Sequence, residues 1–333
     1  MRHRILSFWS FMLLQNMEPR KNVVRLVLCW AFFLLSLPLA SYAQINTGGI
    51  VGRVTDPSGA VVVNAKLTLD NLQTGVKVQG SVNQVGDYAF RGLTPGMYKL
   101  TVVAAGFNTF EETNIPVSVA ETSTRDVRLT LGATTTAITV TSSAVALETA
   151  SAQLGTTVNA SQLRDMPLNG RNFTQLLVLT AGAATPGTTG IWGNPQAGDY
   201  RQPSINGQDT NSTGFVLDGT NNRSNFSGGI SVAPVVDDIA EFKVVSHSDS
   251  VEYGGYLGGY VNVVTKGGTN NFHGAAWEFL RNDKLDARNP FKANVNHLRQ
   301  NQFGGNIGGP IMRNRLFFFG SYQGFRQRIG SVA

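Results

Sequence analysis

Four histidines, His3, His247, His273 and His297, are the first residues to test for chemistry, because imidazole serves both metal binding and proton transfer. None has Cys or His neighbours at ligand spacing, so no metal site is expected. Ser246, His247 and Asp249 stand almost side by side. Catalytic triads assemble from separate loops, and adjacency at one strand end predicts a polar bend instead. Asp237 and Asp238 form an acidic pair before an apolar run, where capping of a helical turn is the expected role. "LDGTNN", Leu217–Asn222, offers calcium-like oxygen ligands but lacks the twelve-residue loop and its bidentate Glu, so a plain turn is expected. The glycine pairs of "EYGGYLGGYVNVVTK" raise the question of a phosphate loop. That motif needs a helix after the glycines, and here a β-branched alternating run follows. No catalytic residue and no cofactor are expected.

The elements that must position these residues are strands. The composition is rich in Gly (37 of 333 residues), with 42% hydrophobic and 14% charged residues. Val, Thr, Asn and Ser are common, and that mixture favours strands and turns. The N-terminus reads as an export signal: Arg20, Lys21 and Arg25 precede an apolar run ending in "SYAQ". That run is shorter than the roughly 20 residues a spanning helix needs. Removing residues 1–43 leaves 22 basic and 20 acidic residues, near +2, so no basic surface for nucleic acid is expected. The single cysteine, Cys29, lies in that leader, which excludes a disulfide framework and a thiolate nucleophile from the exported chain.

Residues 44–131 predict a small β-sandwich. In "AKLTLDN", Ala65, Leu67 and Leu69 alternate with Lys66, Thr68 and Asp70; turn signals stand at Pro57–Gly59 and at the Thr-Pro-Gly following Phe90. Tyr88, Phe90, Tyr98, Leu100, Val102, Ile115, Val117, Val119, Val127, Leu129 and Leu131 continue the inward pattern. Residues 132–148 are small and Thr-rich and read as an extended linker. Residues 149–268 mix elements: a short helix over Asn172–Leu179, a helical turn before strand Glu241–Val245, and strand Tyr260–Lys266. From residue 269 to 333, strands of about ten residues alternate as in a membrane barrel, apolar outward and polar or glycine inward. His273, Ala275, Trp277 and Phe279 share one face there, as do Phe303, Gly305 and Ile307.

These stretches carry a resemblance. "GGIVGRVTDPSGAVVVNAKLTL", "GDYAFRGLTPGMYKLTVVAAGF" and "DVRLTLG" are similar to the carboxypeptidase regulatory-like domain, a transthyretin-like sandwich without peptidase chemistry. "DDIAEFKVVSHSDSVEYGGYLGGYVNVVTKGGTNNFHGAAWEF" resembles the end of the plug in TonB-dependent outer-membrane receptors, through Glu241, Val244, Tyr253, Gly254, Gly258, Gly259, Asn262, Val264, Thr265 and Lys266. "MPLNGRNFTQLLVLTAG" and "NQFGGNIGGPIMRNRLFFFGSYQGFR" are similar to the Oar-like branch of that superfamily. The resemblance implies a mainly β protein: signal peptide 1–43, sandwich 44–131, linker 132–148, plug 149–268 and a barrel start at 269–333. The glycine pairs would then be the exit from plug into barrel.

The resemblance further implies an outer-membrane location and energy-coupled uptake of a large solute, without enzymatic activity. TonB would pair with a short extended segment ahead of the plug, and Ala137, Ile138, Thr139, Val140, Thr141 and Ser142 have that character. Outer-membrane lipid and a glycan, siderophore or peptide ligand are the other implied partners. The plug face at Asn169–Asn172 would meet substrate or barrel wall, with Arg171 expected in a buried ion pair. About 64 residues after Asn270 make roughly three or four membrane strands, too few to close a barrel, so the chain is expected to be the N-terminal portion of a larger product. The alternative is a non-transporting envelope protein that binds carbohydrate or partners through its sandwich.

Overall fold

The computed structural model describes residues 47–132, 137–141, 153–166, 168, 171–184, 203–224, 229–247, 254–285 and 297–330. The leader and Tyr253 lie outside them.

The first eight strands are β1 (Gly48–Thr55), β2 (Lys66–Asn71), β3 (Lys77–Ser81), β4 (Asp87–Leu93), β5 (Gly96–Val103), β6 (Thr109–Val117), β7 (Thr122–Thr124) and β8 (Val127–Arg128). One sheet runs β4-β1-β7 with β8 also on β1, and the other runs β3-β2-β5-β6. Two-residue alternation builds the layer between them. Ala65, Leu67 and Leu69 meet Tyr88, Phe90, Leu100, Val102 and Ile115, all at or below 4% exposure. The pattern stops at Leu131, which is 72% exposed instead of continuing inward. Beyond it, the extended linker is paired: β9 (Ala137–Thr141) joins the second sheet as a fifth strand, parallel to β6.

The second sheet system holds β10 (Leu154–Asn159), β11 (Ala183–Ala184), β12 (Ser204–Ile205), β13 (Gly214–Leu217), β14 (Thr220–Asn221), β15 (Ile239–His247) and β16 (Tyr260–Thr265). Its main sheet is ordered β10-β15-β16-β13-β14. Helix α1 (Ala160–Asp165), which sequence periodicity did not flag, is set by a capping box: Asn159 accepts from the Gln162 amide and Gln162 accepts from that of Asn159. The helix expected over Asn172–Leu179 is a 3₁₀ turn, Phe173–Leu179, capped by the Asn172 side chain. It packs Phe173 edge-on to Phe242 at 5.8 Å over a core that includes Leu163, Phe215, Val244 and Val261.

The last three strands, β17 (His273–Asn282), β18 (Leu298–Met312) and β19 (Leu316–Ile329), form an open antiparallel sheet. Two of them are longer than the ten residues expected, at 15 and 14. Register places Ala275, Trp277 and Phe279 beside Asn306, Gly304 and Gln302, with Ser321, Gln323 and Phe325 on the same face. That face meets the plug, as shown below, so the expectation of Trp277 and Phe279 pointing outward is corrected. Gly304 permits it: a Cβ there would sit 2.7 Å from the Trp277 ring. On β18 and β19 the outer face follows the expected apolar pattern, with Phe303, Ile307 and Tyr322.

Candidate functional site

The glycine-rich segment expected as the exit into the barrel lies before β16, inside the plug sheet, and is built by backbone demands. Gly255 has φ +88°, and Gly259 has φ +107° with no room beyond it: a Cβ would lie 2.4 Å from the Val245 carbonyl oxygen. The chain can therefore turn only here to enter β16. The Gly258 amide donates to Ser212 O at 3.2 Å, and the Gly259 carbonyl accepts from Gly214 N at 2.9 Å. Gly254 lies exposed at the start of this segment. In β16, Asn262 is fully buried in register with Val216 and Lys243. Thr265 donates its amide and its hydroxyl to the Asp218 carboxylate, both at 2.8 Å. "LDGTNN" is thus a turn whose acid closes the sheet, and no metal-ligand cluster stands among the described residues.

The strand exit meets an acidic node. Asp237 and Asp238 lie in a 3₁₀ turn, Val236–Asp238, that no side chain caps. The expected capping role is corrected because both carboxyl groups are recruited by tertiary partners. Arg171 Nη2 donates to Asp237 Oδ1 at 2.6 Å, with the two side chains only 8% and 17% exposed. The Arg171 guanidinium also lies 4.5 Å from the centroid of the Phe279 ring on β17. Asn306 Nδ2, on β18, donates to Asp238 Oδ1 at 2.9 Å and to Asp237 O at 3.2 Å. Lys266 Nζ donates to Asp237 O at 2.6 Å, and its amide donates to Asp238 O at 2.7 Å. Burial pushes the Lys266 ammonium below its ordinary pKa, against the pull of both aspartates. The Arg171 ion pair is as expected; its second contact, to the neighbouring sheet, was not legible in "NGRN".

A second polar contact joins the sandwich to the plug sheet. Glu241 Oε1 accepts from the Val119 amide at 2.5 Å, and Lys243 Nζ donates to Ala120 O at 2.9 Å. Ala120 presents that carbonyl from a left-handed conformation, φ +50°. Burial pushes the Glu241 carboxyl up to about 7, reinforced by Glu121; the Val119 N–H and Lys243 oppose the rise. Lys243 is 2% exposed between Phe242 and Val244. A lysine inside an apolar strand was the one sequence signal for this contact, and alternation alone does not reveal its partner.

Ser246 donates from its hydroxyl to Leu154 O near the end of β15, and Asp249 of the Ser-His-Asp stretch lies outside the described residues. Of the extended segment ahead of the plug, Ala137–Thr141 forms β9, in register with Thr109–Thr113 of β6, while Ser142 lies outside the described residues.

Comparison with known proteins agrees with this layout. The carboxypeptidase regulatory-like domain model matches residues 49–130, and an outer membrane beta barrel domain model matches residues 264–333. The TonB-dependent transporter Oar of Myxococcus xanthus is 25% identical over 305 residues, which cover 85% of this chain and 27% of that protein. The chain is thus similar to the TonB-dependent transporter Oar. It spans about a quarter of that relative's length. Among solved structures, the siderophore receptor PirA from Acinetobacter baumannii aligns with 51% of the chain and 24% of its own, at 21% identity and a TM-score of 0.37. PirA from Pseudomonas aeruginosa aligns with 52% and 28%, at 16% identity and a TM-score of 0.36. The matched barrel domain and the transporter relative indicate an outer-membrane location.

Proposed function

We propose that the chain is the plug-bearing N-terminal part of an energy-coupled outer-membrane transporter for a large solute. A TonB-type protein pairs with Ala137–Ser142 by strand addition, and the acidic node at Asp237–Asp238 transmits the pull between plug and barrel wall. The observation that carries this reading is the pairing of Ala137–Thr141 immediately ahead of the plug: the segment already engages a sheet edge through its main chain. Main-chain pairing is also the currency of strand addition, which asks little of particular side chains. Because β9 occupies one edge in the sandwich, coupling requires its transfer from β6 to the partner strand. The solute belongs to the siderophore, oligosaccharide or peptide class, and its selection resides in the barrel loops.

The test is site-directed disulfide cross-linking between the full chain carrying Thr139→Cys and a cysteine series along the periplasmic domain of a TonB protein. Cross-links with strand periodicity, abolished by Val140→Pro, are the expected result. A TonB domain that binds the chain without touching residues 137–142 overturns the assignment of the coupling segment. Failure to bind at all overturns the energy-coupled reading.

A further inference from the structure

The outer face of the β17-β18-β19 sheet changes character abruptly along its length. Register places Asn282, Arg299 and Arg328 in one row, and Leu280, Asn301 and Arg326 in the next. One row further on, Phe303 stands beside Gly324; Ile307 and Tyr322 lie beyond, 55% and 68% exposed. From Phe318 to Gly324, this face of β19 carries no charge over roughly 20 Å of strand. The opposite face at that end carries Gln300 and Gln327 in a row with Arg281 of β17, so the arginines of β18 and β19 stand on the outer side while that of β17 stands on the other.

We infer that Arg299, Arg326 and Arg328 bind the phosphate groups of outer-leaflet lipid. Arg299 and Arg328 are direct cross-strand partners, an arrangement that is unfavourable unless an anion sits between them. Among the described residues no carboxylate is in register with either arginine: Asp283 Oδ2 is bonded to His297 Nδ1 at 3.0 Å, and Glu278 of the same face stands opposite Phe303, one row below Leu280. A groove of about 640 Å³ at this end is lined by the three arginines with Leu280, Asn282 and Asn301, and also by Phe325 and Gln327 of the other face. Guanidinium groups match phosphate oxygens two at a time, and their stems can lie along apolar surface.

Two features point to a lipid headgroup as the anion. On β18 and β19 the uncharged outer face runs directly into the arginine rows, as an amphiphile with acyl chains and a phosphate requires; the acid of that face, Glu278, stands on β17. The strand ends orient the sheet as well: a three-residue turn, Arg313–Arg315, closes the apolar end, whereas fifteen residues of sequence separate Asn282 from Leu298 at the cationic end. Outer-membrane barrels carry short turns on the periplasmic side and longer loops outside. The arginines are therefore at the level of the outer headgroups. The inference rests on the outer-membrane location and is independent of coupling to TonB.

The experiment uses the full chain in zwitterionic micelles doped with bis-phosphorylated lipid A, and bound lipid is quantified by native mass spectrometry. Wild type is expected to retain the phosphorylated lipid over its dephosphorylated form, with retention falling as salt rises. Substitution R299Q/R326Q/R328Q should weaken retention on the order of a hundredfold, taking the usual contribution of a basic residue at an anionic membrane surface. Arg→Lys at all three positions should retain most of the binding. An unchanged thermal midpoint verifies that the glutamine variant is folded; if it is not, R326Q alone must still show a measurable loss. Equal retention of both lipids, or an unaffected glutamine variant, overturns the inference. So does displacement by equimolar inorganic phosphate, which identifies a site for free anions.

Discussion

At the residue scale, two positions carry demands that no substitute meets. Arg171 holds a buried ion pair and a ring contact at once, linking Asp237 in the plug to Phe279 in the adjoining sheet. Arg171→Ala leaves the Asp237 carboxylate without this partner in a low-dielectric setting, so a loss of about 3 kcal/mol is expected in denaturant unfolding. Arg171→Lys preserves the charge but not the planar stack, and should fall between the two. Gly259 is the second position. Its φ of +107° and the Val245 carbonyl oxygen, which crowds the place a methyl group would take, leave alanine no room. Gly259→Ala should therefore cost about 1–3 kcal/mol. An alanine variant as stable as wild type would mean that the entry to β16 can turn elsewhere.

At the element scale, the contact between β15 and the segment following β6 should respond to pH. The Glu241 carboxyl is raised from an ordinary 4.5 to about 7, so the folded protein holds this proton more tightly than the unfolded chain. Between those values the folded state binds more protons, and stability falls as pH rises. The contribution is present below about pH 4.5 and lost by about pH 7. Glu241→Gln retains an acceptor for the Val119 amide but cannot ionise. Its unfolding midpoint should therefore decline less than that of wild type between pH 5 and pH 8, as scanning fluorimetry can show. Parallel curves for the two proteins would remove Glu241 from the pH response. The pairing of β9 with β6 belongs to the same scale, since five residues of parallel ladder form a weak element that a competing strand can replace.

At the scale of the molecule, the sandwich and the plug each bury a core of their own. Ile50, Leu67, Leu100, Ile115 and Leu129 close within the sandwich, whereas Phe173, Phe215, Phe242 and Val261 close within the plug. The polar contacts at Glu241, Lys243 and Arg171 join layers that are already packed. Residues 44–131 alone are thus expected to unfold cooperatively, with a circular-dichroism transition of a small two-state β domain. A non-cooperative melt would show that the plug contact is required for the sandwich to fold.

The sequence by itself determined much of this architecture, because alternation in a strand is a local property with a period of two. Leu67 and Leu69, Tyr88 and Phe90, and Tyr98 to Val102 could be placed in a core from their spacing alone. The glycines before β16 could be read as a strand entry because β-branched residues follow them. Helix α1 was missed because its six residues are too few for periodicity, although Asn159 and Gln162 spell the capping box that starts it. Only tertiary structure decided that Asp237 and Asp238 meet Arg171 and Asn306 rather than cap a helix, that Trp277 and Phe279 face the plug, and that Ala137–Thr141 is paired. Each of these depends on which surface a strand or turn is laid against. A two-residue repeat says which side chains share a face, but the long-range pairing that aims the face is settled when the sheets pack.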